Sequence, residues 1–111
     1  VAAHKVLRDV EITADRDVIQ ARQGLEAWRQ AKDAASASAA MTARMSRAFE
    51  LGDQGLTELL IARRQDYDVR RTEARARAAA HAAILQLLID AHEIWGLKDE
   101  HHGTEPATAR R

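Results

Sequence analysis

A row of residues recurs every seven positions over almost half of the chain: Leu7, Ala14, Ala21, Trp28, Ala35, Thr42 and Phe49. Val10, Val18, Leu25, Met45 and Ala48 flank it, and no proline interrupts it. A heptad-type stripe of this length demands a long helix with a seam for a partner. At about 1.5 Å per residue, a helix over residues 3–51 extends roughly 70 Å, far beyond the usual globular helix. Gly24 lies inside it, at a cost of about 1 kcal/mol relative to alanine, and a glycine there permits close approach of a neighbour.

The register breaks at Gly52 and Gly55. Gly52 suits the position after a helix, where positive φ is needed. Gly55 suits the N-cap of a second helix, with Glu58 at a position that the helix dipole favours. A second seven-residue row follows: Leu60, Tyr67, Ala74, His81, Leu88 and Trp95, with Leu56, Leu59, Val69, Ala78, Ile84, Leu85 and Leu87 beside it. The expected fold is all-α, a long antiparallel helical hairpin over residues 1–97. Its helices cover about 3–51 and 56–95, with a turn at 52–55. Gly96 would end the second helix, leaving 98–111 as a disordered polar tail that contains Pro106. A turn centred at 53–54 sets Trp95 near Ile12, Ile84 near Gln23 and Trp28 near Ala79. Trp28, Trp95, Met41 and Met45 are expected in the core. One seam cannot cover all the apolar rows, so further helices are implied, within a bundle or an α-barrel completed by oligomerisation.

Composition narrows the function classes. The 111 residues suffice for one small domain. Apolar content is 46% but aromatic content only 4%, which suits closely packed Ala-rich helices better than a large globular core. Lys+Arg and Asp+Glu both number 17, which argues against binding nucleic acid by neutralising phosphates. The chain has no cysteine, so a disulfide or thiolate metal site is not available. Its most apolar run, residues 78–89, is too short to span a bilayer. The chain begins at Val1 with no leader pattern, as expected of a mature fragment or an excised piece.

No catalytic motif is present: no phosphate-binding Gly-rich loop, no His-Glu-x-x-His and no Glu-x-x-His. Neither catalytic residues, cofactor nor metal are expected. His81 and His92 share a helical face but lie about 16 Å apart along the axis, too far to hold one ion. His101, His102 and Glu105 offer at most a loose tail site. Arg63, Arg70 and Arg77 repeat every seven residues with Arg64 and Arg71 beside them. The simplest expectation for this strip is a solvated face, with Asp66–Arg70 and Glu73–Arg77 as favourable i,i+4 pairs.

The segment Phe49-x-x-Gly52-x-x-Gly55-Leu56-x-Glu58-Leu59-Leu60-x-Ala62-Arg63 resembles the periplasmic hairpin tip of the outer membrane factor (TolC-like) family of tripartite efflux systems. The segment Leu85-x-Leu87-Leu88-Ile89-Asp90-Ala91-His92-x-x-Trp95-Gly96-Leu97 is similar to the chain end in the CzcC-like, heavy-metal branch. The resemblance spans roughly residues 18–97. It implies the last helical hairpin of a trimeric outer membrane channel subunit, with its helices as tunnel wall in the periplasm. It further implies docking of a periplasmic adaptor (membrane fusion) protein that serves an inner-membrane pump. The tip residues it marks are Leu51, Gly52, Asp53, Gln54 and Gly55. Leu51 and Gly52 fit the family's tip pattern, whereas Asp53 and Gln54 depart from it, which leaves adaptor specificity open. A free-standing coiled-coil module that dimerises in the cytoplasm is the competing expectation.

Overall fold

The computed structural model describes residues 2–102. Two helices account for nearly all of them: α1, Ala2–Glu50, and α2, Leu56–His102. They pack side by side as an extended antiparallel hairpin with no strand among the described residues.

The reversal is built from backbone chemistry. Gly52 has φ +78°, the one positive φ among the described residues. The Gly52 N–H donates to the Phe49 carbonyl (3.0 Å) and the Asp53 N–H to the Ala48 carbonyl (2.8 Å). These two bonds form a Schellman cap, which satisfies carbonyls that the end of α1 would leave bare. α2 opens with the Leu59 N–H donating to the Gly55 carbonyl (3.3 Å). The Glu58 carboxylate folds back over Gly55, so that a Cβ there would lie 2.5 Å from Glu58 Oε2. An acidic side chain returning to the N-cap matches the positive end of the helix dipole.

The seam follows alternating steps of three and four residues on both helices. On α1 it runs through Ala14, Asp17, Ala21, Gly24 and Trp28, the row found from the sequence plus its partner row. On α2 it runs through Leu59, Ala62, Asp66, Val69, Glu73, Ala76 and Ala80, and on through Leu87 and Ile94. This corrects the expected α2 seam by one residue. The row Leu60, Tyr67, Ala74, His81, Leu88 and Trp95 is exposed throughout. Trp95 is 68% exposed and Met41 58%, so neither is a core residue, while Trp28 and Met45 are half-buried.

Small residues set the helix spacing. Ala80 is fully buried, and a Cβ on Gly24 would lie only 3.3 Å from the Ala80 Cα. Thr42 lies against the Ala62 carbonyl (3.5 Å). Both contacts stand three residues from the expected register, less than one helical turn. α2 also continues through Gly96, which the sequence pattern had marked as its end, to His102. Gly96 lacks the positive φ of a cap, and the seam spacing carries past it to Leu97, which faces Val6 and Val10 across a cleft. One glycine costs a helix about 1 kcal/mol, too little to stop it where a seam residue follows. The remainder of the expected tail, 103–111, lies outside the described residues.

Candidate interaction surfaces

The hairpin offers three surfaces. The first is the tip. Leu51, Gly52, Asp53, Gln54 and Gly55 are all exposed, and Leu51 is 72% exposed although apolar. Leu56, Leu60 and Ile61 on the first turns of α2 are exposed as well. The cap fixes the backbone here, so the tip presents an apolar side chain on a rigid support rather than on a loose loop. The five tip residues are contiguous in space because they form the turn itself.

The second surface is the outward row of α2, now distinct from its seam. Leu88, Trp95 and the adjacent Leu85 and Ile89 are exposed, as are Ile12, Val18, Ile19 and Leu25 on the facing half of α1. In the antiparallel arrangement these two sets belong to the same half of the hairpin, the one remote from the turn. Large apolar residues there therefore point away from the seam on both helices. Large apolar residues exposed on more than one face of a helix mark sites of packing against other helices.

The third surface is the arginine strip on the tip half of α2. Arg70 pairs with Asp66 at 2.9 Å, and Arg77 stands 3.8 Å from Glu73, the i,i+4 pairs anticipated from spacing. Arg63, Arg64 and Arg71 form no ion pair among the described residues and remain exposed. Their strip is a solvated face.

The seam itself holds polar residues that hydrophobic patterning does not select. Glu73 sits at a core position and accepts a hydrogen bond from Trp28 Nε1 at 3.0 Å. The Trp28 ring meets His81 edge-on (centroids 5.5 Å, 75° between planes), and Lys32 Nζ lies 5.0 Å from the ring centre. His81 is thus a packing partner of Trp28. His92 is exposed, and no group of three His, Asp or Glu among the described residues is placed to hold a metal ion. Asp66 and Asp17 are buried, each with one carboxylate oxygen that lacks a hydrogen-bond partner among the described residues. The Asp17 carboxyl is raised above its ordinary value of 3.8 by a hydrogen bond with Asp90, by burial and by the Asp90 charge, with Arg16 opposing. The signal for Asp17 was available: it falls seven residues after Val10 and seven before Gly24, on the second seam row of α1.

No helix among the described residues is long and apolar enough to cross a membrane. Comparison with protein families, characterised proteins and solved structures yields no match. Any functional reading accordingly rests on the chain's own residues and geometry.

Proposed function

We propose that this chain is the periplasmic helical hairpin of an outer membrane efflux channel subunit, a wall element that packs between other helices and docks an adaptor through its tip. The observation that carries this reading is the set of large apolar side chains exposed outside the seam on both helices. Leu88 and Trp95 on α2 and Ile12 and Ile19 on α1 are each more than half exposed. Neighbours that cover these side chains would add to the stability of the hairpin, as adjacent staves do in a tunnel wall. The resemblance at residues 49–63 supports the same assignment for the tip. In the full-length subunit the hairpin would belong to a trimer, and the partners would be a periplasmic adaptor and an inner-membrane pump. The role proposed is structural, with no catalytic step and no bound cofactor.

The test is binding of the chain to the helical hairpin of a periplasmic adaptor from a heavy-metal efflux system, measured by surface plasmon resonance. Leu51→Asp changes an outward side chain and leaves the Gly52 cap untouched. It should weaken binding by about tenfold or more, equivalent to about 1.4 kcal/mol. Absence of binding by the unmodified chain to adaptor hairpins, together with self-association in which tips lie at opposite ends, would favour the free-standing coiled-coil module instead. In a channel wall all tips point the same way.

A further inference from the structure

We propose that copies of this chain associate side by side with their tips pointing the same way, the back of α1 in one copy packing against the back of α2 in the next. The back of a helix is here the side turned away from the seam. The proposal needs only the hairpin, so it holds or fails separately from the adaptor docking proposed above. Five residues on from a seam position lies about 140° around the helix axis, which places a residue on the back. From Ala14, Ala21 and Trp28 this step leads to Ile19, Glu26 and Asp33, a row that Ile12 and Lys5 continue at seven-residue spacing. From the α2 seam it leads to Arg64, Arg71, Ala78, Leu85, His92 and Asp99. All of these residues are exposed. Ile12 and Ile19 are more than half exposed, as are Leu85 and, about a turn further on, Leu88 and Ile89.

The hairpin fixes which residues share a height. Gly24 faces Ala80 and Thr42 faces Ala62, so position numbers at one height sum to 104. Copies that stand level keep that rule between neighbours, and their two backs then match along the rod. Ile19 meets Leu85, and Ile12 meets His92 between Leu88 and Trp95. Asp33 meets Arg71, and Lys5 meets Asp99. Glu26 meets Ala78 with Arg75 a turn away, and Ala40 meets Arg64. No like charges face each other along these two rows. Lys5, Asp33, Arg71 and Asp99 form no ion pair within the hairpin among the described residues. They are solvated in a single hairpin, and a neighbour's charge displaces no existing partner.

The same rows disfavour the other ways of pairing backs. With tips reversed and Ile19 kept on Leu85, Asp33 falls against Asp99 and Lys5 against Arg71. Two α2 backs at one level set Arg71 against Arg71, and two α1 backs set Asp33 against Asp33. Like charges brought together oppose such contacts. The level contact of α1 with α2 brings opposite charges together and covers the apolar residues of both backs. It uses a different surface on each of the two copies, which makes it heterologous, so copies add side by side until a ring closes.

The experiment is sedimentation equilibrium of the chain and of two charge reversals, Asp33→Arg and Arg71→Asp, with helix content followed by circular dichroism. The unmodified chain should associate. Each reversal alone should weaken association by about fivefold or more at unchanged helix content, because both sites lie outside the seam. An equimolar mixture of the two variants should recover the association, since the reversed charge of each then meets the reversed charge of the other. Orientation is read by oxidative cross-linking, as the chain has no native cysteine. Ala40→Cys copies should link to Arg64→Cys copies in preference to His92→Cys copies, whose site stands about 42 Å further along the rod. An unmodified chain that stays monomeric overturns the proposal, whether or not it binds an adaptor. So do single reversals that associate like the unmodified chain, a mixture that recovers nothing, and cross-linking without preference for the 40–64 pair. If either reversal loses helix content, the cross-linking decides alone.

Discussion

Three glycines in this chain answer to three different constraints, and their substitution separates them. Gly52 holds φ +78°, a region that costs an L-residue roughly 1–2 kcal/mol. Gly52→Ala should lower stability by about that amount in urea unfolding, without any lost contact, since nothing lies within 4 Å of the would-be Cβ. Gly24 sits in the helix, and its constraint is the Ala80 backbone, 3.3 Å from where a Cβ would stand. Gly24→Leu should therefore cost about 1–3 kcal/mol through overpacking, with the helices forced apart around residue 80. Gly96 has open space and ordinary helical backbone. Gly96→Ala should stabilise α2 by about 1 kcal/mol, visible as slower amide exchange over residues 97–100. Three substitutions of one residue type thus give two losses with different causes and one gain.

At the scale of the helix, what the sequence made legible and what it hid have one physical origin. The seam row of α1 is recognisable because alanine and Trp28 fill it at seven-residue spacing. The turn is recognisable because Gly52 must adopt a conformation that other residues resist. The seam of α2 is hidden because Asp66 and Glu73 occupy two of its core positions. One residue along, Leu60, Tyr67, Leu88 and Trp95 make a more apolar row that belongs to a different face. Counting apolar residues cannot distinguish a filled seam from a second surface awaiting a partner. Glu73 is tolerated in the seam because Trp28 and Arg77 supply donors, and the Trp28 pairing spans 45 positions, which no local pattern reveals. Trp28→Phe keeps the ring against His81 and removes the donor. It should destabilise the hairpin by about 1–2 kcal/mol at neutral pH. In a double-mutant cycle with Glu73→Gln, the two effects should be non-additive; additive effects would mean that the hydrogen bond contributes nothing.

For the whole molecule, the decisive property is that one hairpin has one seam but apolar residues on more than one face. A two-helix unit with Ile12, Val18, Leu85, Leu88 and Trp95 in water leaves a large part of its hydrophobic driving force unused, at roughly 25 cal/mol per Å² of apolar surface. Association is the means of recovering it, whether the neighbours are staves of a channel or further copies of this chain. The outward residues provide a way to measure that term, because they lie mostly exposed and outside the seam rows. Leu88→Gln combined with Trp95→Gln should reduce self-association in sedimentation equilibrium by at least about tenfold, a change of about 1.4 kcal/mol. Helix content at high dilution should stay near that of the unmodified chain. Leu59→Gln, at a seam position that is 3% exposed, should do the reverse: the hairpin itself unfolds more readily, and association falls only as a consequence. If the outward double variant loses its helices as readily as the seam variant, then neighbours are required for the hairpin to form at all, and folding and assembly are a single event.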